Sequence, residues 1–132
     1  MRNDAVRHQA LEIINMDVVE SAAIERAIAY KIEGNYDAAT AELKQILEAS
    51  PDDAKAHHQL GLVYGFIGDF DESITELEVA VRLDVNNLVV RNDLALTHSM
   101  LGMYDEAKVG FTYVLSVDPT NEVANNNIAF FA

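Results

Sequence analysis

The sequence predicts an all-α protein made of stacked helix hairpins, and three observations lead there. The fragments Gly34-Asn35-Tyr36-Asp37-Ala38-Ala39, Gly68-Asp69-Phe70-Asp71-Glu72-Ser73 and Gly102-Met103-Tyr104-Asp105-Glu106-Ala107 recur at intervals of 34 residues. Between them, small and apolar residues return at helical spacing, as in Leu60, Gly61, Tyr64 and Ile67. Pro51-Asp52-Asp53, Val85-Asn86-Asn87 and Pro119-Thr120-Asn121 close the rows at matching places.

Written in rows from Glu20, the chain divides into 20–53, 54–87, 88–121 and a short row 122–132. Each full row holds two helices. The first carries a column of tiny residues, Ala27, Gly61, Ala95 and Ala129, followed three places later by Tyr30, Tyr64 and His98. Gly34, Gly68 and Gly102 end it, because glycine enters the left-handed conformation without a Cβ penalty. The aromatic residue packs back over the turn. The acid after it sits in the first turn of the second helix, at the positive end of the helix dipole. Ala39, Ser73 and Ala107, then Leu43, Leu77 and Phe111, then Leu47, Val81 and Leu115 mark the buried stripe of that helix. Pro51 and Pro119 stop it, and Asp53, Asn87 and Asn121 are suited to cap the next helix. The small columns are expected where helix backbones approach closely.

These residues resemble the tetratricopeptide repeat family, whose pattern is W-x2-L-G-x2-Y, then A-x3-F, then P, over 34 residues. Leu60-Gly61-x2-Tyr64 and Ala107-x3-Phe111 match it, Ala39-x3-Leu43 comes close, and Pro51 and Pro119 match the closing proline. The resemblance covers 20–121 as three repeats and 122–132 as the first helix of a fourth. It implies a right-handed α-solenoid. Departures are visible: Ala23, His57 and Arg91 stand where the family has tryptophan, Val85 replaces the proline and His98 the tyrosine. Arg26 stands where leucine is expected, so the first repeat is either loosened there or turned toward the N-terminal segment. Residues 1–19 fit no row; Ala10, Leu11, Ile13, Ile14 and Met16 suggest a helix that caps the flank of the first repeat.

Composition narrows the function. The chain has 132 residues, half of them hydrophobic, and a net charge of −13 from 22 acidic and 9 basic residues. That balance argues against nucleic acid, whose phosphates need Lys and Arg, and against anionic membrane surfaces. No apolar stretch is long enough for a signal or a membrane span. The lack of cysteine removes thiolate chemistry and zinc–thiolate sites, and fits a cytoplasmic location. No Walker loop, G-x-S-x-G or H-E-x-x-H is present, so an enzyme is not expected, and no cofactor or metal is called for. His57 and His58 are neighbours on one helix and point about 100° apart, a poor arrangement for chelation. His98 reads as a satisfied, partly buried histidine. Asp71, Glu72, Glu76 and Glu78 read as a solvated helix face.

What remains is surface. The resemblance implies that first helices line a concave groove that binds partner proteins or peptides. The residues expected to project into it are Ile24, Ile28 and Lys31; His58, Leu62, Gly65 and Phe66; Asn92, Leu96 and Ser99; and Asn126 and Phe130. The competing reading is that Ile28, Leu62 and Leu96 only pack between neighbouring first helices. Members of the family that grip chaperone C-terminal tails use a clamp of Lys, Asn and Arg. The matching places here are Ile24, Ile28, Gln59, Val89 and Asp93, none of them cationic, so that role is rejected. The expected partner is an amphipathic helix or extended segment, apolar with basic residues. Two alternatives stand beside it. One is a structural assembly unit that self-associates through Glu122–Ala132, whose Ile128, Phe130 and Phe131 leave an apolar end. The other is a recruiting domain cut from a larger protein.

Overall fold

The structure is a computed structural model that describes residues 2–131, with the side chains of Arg2, Met16 and Asp17 left aside. Among the described residues it contains helices and no strands. In order these are α1 (Arg2–Ile32), α2 (Tyr36–Ala49), α3 (Ala54–Ile67), α4 (Phe70–Leu83), α5 (Leu88–Met100), α6 (Tyr104–Val117) and α7 (Glu122–Ile128), then a 3-10 turn over Ala129–Phe131. α1 and α2, α3 and α4, and α5 and α6 form hairpins. Each hairpin packs on the next through α2–α3 and α4–α5, and α6 packs on α7. The first helices also touch one another, α1 with α3 and α3 with α5. The result is a right-handed α-solenoid whose inner face is made by first helices.

The corners follow from glycine. Gly34, Gly68 and Gly102 have φ of 79°, 87° and 75°, a region that costs other residues strain. The residue after each glycine donates its N–H back to the preceding helix: Asn35 to the Tyr30 carbonyl at 2.8 Å, Asp69 to Tyr64 at 2.9 Å and Met103 to His98 at 2.9 Å. Three repeats thus close with the same hydrogen bond, which satisfies a carbonyl that the helix end would otherwise orphan. At the other end, the carboxamide or carboxylate of the cap residue accepts from the first turn. Asp53 accepts from Ala56 N–H at 3.0 Å, Asn87 from Val89 and Val90 at 3.1 and 3.3 Å, and Asn121 from Ala124 at 3.0 Å.

The core runs along the solenoid as three clusters. Ala27, Leu43 and Leu60 belong to the first, Leu77, Ala80 and Val90 to the middle, and Ala95, Phe111 and Val114 to the last. The small columns permit the packing. A Cβ on Gly61 would lie 2.8 Å from Leu77 Cγ and 3.2 Å from the Ser73 carbonyl oxygen. Ser73 uses that closeness to donate its hydroxyl to the Gly61 carbonyl at 2.7 Å.

Two expectations need correction. Residues 2–19 are not a separate helix folded over the first repeat; they continue α1 without a break, and residues 3–15, 18 and 19 are exposed. No glycine or proline lies between Met1 and Glu33 to turn the chain, so the helix extends past the point where α2 ends its support. Arg26 neither loosens the first repeat nor meets the N-terminal segment. It pairs with Glu42 of α2 at 3.2 Å.

Candidate functional site

The inner face of α1, α3, α5 and α7 carries the residues predicted for a partner groove, and the structure sorts them into several neighbourhoods. Leu62, Phe66 and Leu96 meet around a cleft of about 250 Å³ between α3 and α5, joined by Met100, Asp93 and Thr97. The Gly61 and Gly65 backbone completes one wall. Phe66 is exposed and stacks on Tyr36, with ring centroids 5.9 Å apart. Toward the N-terminal side, Ile24 and Ile28 line a second cleft of about 620 Å³, rimmed by Glu20, Glu25, Asp53 and Asp84, with Lys55 opposing them. Toward the C-terminal side, Ser99 and Phe130 line a third cleft with Tyr104 and Phe131. Asn126 is exposed and belongs to none of the three.

Not every predicted residue is available to a guest. Asn92 is 5% exposed, and its amide donates to Asn121 Oδ1 at 3.0 Å, so it joins α5 to the α7 cap rather than facing a groove. Its own Oδ1 is buried without a partner among the described residues. Ile24 is mostly covered. Ile28 and Leu96 are half-buried: they pack on the first and last core clusters, and each also lines one of these clefts. Phe130 lies at the other extreme, 82% exposed.

A polar row crosses the same face. Lys31 Nζ donates to Gln59 Oε1 at 2.6 Å, and His58 Nε2 lies 2.7 Å from Asp93 Oδ2. Burial pushes the Lys31 ammonium below its ordinary range, and the nearby Asp93 charge acts the other way. Two of the five places that a chaperone clamp would need, Gln59 and Asp93, are therefore already engaged. Gln59 is held by Lys31, and Asp93 puts a carboxylate where a cation would be required.

Sequence reading missed two residues of this face, and the signal was present. Ile32, Phe66 and Met100 stand 34 residues apart in one column, and all three are large, apolar and exposed. It also mistook two polar groups. Glu76 is not part of a solvated face, because its carboxylate meets His57 Nδ1 at 2.6 Å, while His57 Nε2 reaches the Pro51 carbonyl at 2.7 Å. His98 is buried, yet its ring forms no hydrogen bond among the described residues. Also among the described residues, no cluster of His, Asp and Glu is arranged to hold a metal ion, and no helix is long and apolar enough to cross a membrane.

Comparison with known proteins places this geometry. Residues 31–92 match the model of the tetratricopeptide repeat. No curated protein matches the chain in sequence. Among solved structures, the first repeat domain of Spaghetti (RPAP3), bound to the HSP90 peptide SRMEEVD, superposes with a TM-score of 0.79 at 21% identity, covering 84% of this chain and 88% of that one. The second repeat domain of human RPAP3, in complex with the HSP70 peptide SGPTIEEVD, gives 0.77 at 21% identity over 85% and 94% of the two chains. A MamA D159K mutant gives 0.71 at 30% identity over 84% and 64%. Residues 31–92 thus carry the tetratricopeptide repeat, with Gly34 and Gly68 as corners inside that stretch and Gly102 repeating them beyond it, and the described chain shares the solenoid fold of those structures.

Proposed function

We propose that the chain is a non-catalytic interaction module that holds a partner peptide or helix on its inner face. The repeats taking part are 20–53, 54–87 and 88–121, with 122–132 as the first helix of a fourth. The observation that carries this reading is the cleft where exposed Phe66 and Met100 stand over half-buried Leu62 and Leu96, beside the Asp93 carboxylate. Exposed apolar surface of this kind marks an interaction site more often than chance. The preferred partner is apolar with basic residues: the apolar side chains enter the cleft, and a Lys or Arg approaches Asp93. The two repeat domains described above bind acidic peptides, SRMEEVD and SGPTIEEVD. Here the acidic charge of the chain and Asp93 disfavour such tails, so the partner class differs. A cytoplasmic setting agrees with the cysteine-free sequence.

A peptide-display selection on the whole chain tests this, followed by calorimetry on the selected peptides. The expected peptides combine apolar residues with Lys or Arg. Leu62→Asp together with Phe66→Asp abolishes their binding. Selection of acidic tails, or unchanged affinity in the double variant, would overturn the proposal.

A second reading has its own support. Phe130 is 82% exposed at the end of the solenoid, next to Tyr104 and Phe131, and is suited to end-to-end self-association. Light scattering across a concentration series separates it from the first reading: a constant monomer mass rejects it, and Phe130→Asp should restore monomers if mass rises.

A further inference from the structure

The outer side of the solenoid carries a cleft that the partner groove does not use. Its volume is about 460 Å³, and it opens between α4 and α6 over α5. Val81, Leu94 and Val109 supply apolar walls, and Arg91, His98 and Gly110 complete it. That size and lining suit a small organic ligand.

Two departures from the repeat create the cleft. Where the first two rows have Tyr30 and Tyr64, the third has His98; where they have Glu42 and Glu76, it has Gly110. In those earlier rows the glutamate takes a basic partner, Arg26 with Glu42 at 3.2 Å and His57 with Glu76 at 2.6 Å. In the third row Arg91 occupies the His57 column, but the glutamate column is empty of a side chain. Arg91 accordingly has no carboxylate partner among the described residues. Its Nε donates to the Val85 carbonyl at 3.1 Å, and its guanidinium lies 3.9 Å over the Tyr113 ring. A Cβ on Gly110 would sit 2.9 Å from Ala95 Cβ, so close packing of α5 and α6 prevents this position from supplying the missing acid.

His98 is the second, independent sign. It is 8% exposed and lines the cleft, and its ring has no hydrogen bond within the chain among the described residues. The side-chain atom that is sealed from solvent without a partner among the described residues is Asn92 Oδ1, so the His98 ring nitrogens stay reachable, and an imidazole without a protein partner beside an apolar cavity is open to a guest.

We propose that this cleft binds a small free molecule with an apolar body and a single carboxylate. The carboxylate takes the place of the absent glutamate and accepts hydrogen bonds from the Arg91 guanidinium, whose planar fork matches it. The His98 ring N–H donates to the ligand, and the apolar body rests on Val81, Leu94 and Val109. Asp105 and Glu106 also line the cleft and are exposed at its mouth, which disfavours polyanions and limits the guest to one negative charge.

Phenylacetate, with 2-phenylethanol as its uncharged counterpart, probes the site in amide-resolved NMR titrations of the whole chain. Saturable shifts centred on Gly110, His98 and Val109 are expected with both. Arg91→Gln should weaken phenylacetate about tenfold while leaving 2-phenylethanol unchanged. His98→Tyr restores the residue of the earlier rows and should remove binding of both. If it perturbs the helical circular dichroism, Val109→Trp, at an exposed position on the rim, blocks the cleft instead. Shifts that centre on Leu62 and Phe66, shifts that do not saturate, or equal phenylacetate affinity in Arg91→Gln would overturn the proposal.

Discussion

α1 is one helix with two environments. From Ala23 onward it is seated: Ala23, Ile24 and Ala27 are buried, and Ile28 and Tyr30 pack on the same cluster. Before Glu20 it projects, with Val6, Leu11, Ile13 and Ile14 all exposed. Both halves are rich in helix-forming and apolar residues, so propensity does not separate them. What separates them is the neighbour. α2 and α3 lie beside the second half, and nothing described lies beside the first. The lesson is that an apolar stripe makes a core only where another element meets it, and that helical stability then comes from tertiary packing.

That contrast can be broken most forcefully from the packed side. Phe111 is fully buried in the last cluster, and Phe111→Ala should cost about 3–5 kcal/mol in urea denaturation. Leu11→Ala on the projecting half should change stability by less than ~0.5 kcal/mol. Equal effects would mean that the projecting half is packed in solution.

A smaller effect is expected at the close approach of α3 and α4. Gly61→Ala forces Leu77 to shift and should cost about 1–3 kcal/mol, whereas Ala10→Leu on the projecting half should be neutral. His57→Ala comes next. It strips Glu76 of its partner and the Pro51 carbonyl of its donor, for a loss of about 1–3 kcal/mol. Adding Glu76→Gln to that variant should recover part of the loss, because the unpaired charge disappears; a further drop would show that the pair is not what His57 contributes. Asn121→Ala removes the α7 cap and the acceptor of Asn92, for about 1 kcal/mol or somewhat more.

The smallest effect concerns Lys31, in the seated half of α1. Its folded-state pKa lies below the ordinary 10.5, chiefly through burial. The unfolded chain therefore binds that proton more tightly, and stability rises with pH as Lys31 loses its charge below 10.5. Lys31→Met should flatten this alkaline rise, measured as the difference in denaturation midpoints between neutral and alkaline buffer. An unaltered slope would show that Lys31 is not desolvated in solution.

Much of the fold was legible because the repeat states it three times over. The glycine corners, the N-caps Asp53, Asn87 and Asn121, and the small columns are local signals, each enforced by backbone geometry within a few residues. The inner-face cleft was legible in part. Leu62 and Phe66 were reached through the family resemblance, but Met100, which lines the same cleft, needed the column to be read for exposure. Asn92 was misplaced because its partner, Asn121, lies 29 positions along the chain.

By itself the sequence determined the helices, their corners and their order, since these rest on conformational preferences and a period that short segments carry. Tertiary structure decided which apolar residues are buried, that Glu76 belongs to His57, that Arg91 is left without an acid among the described residues, and that the chain before Glu20 projects. Those outcomes depend on which helix lies beside which, and burial and charge pairing exist only between surfaces that packing has brought together.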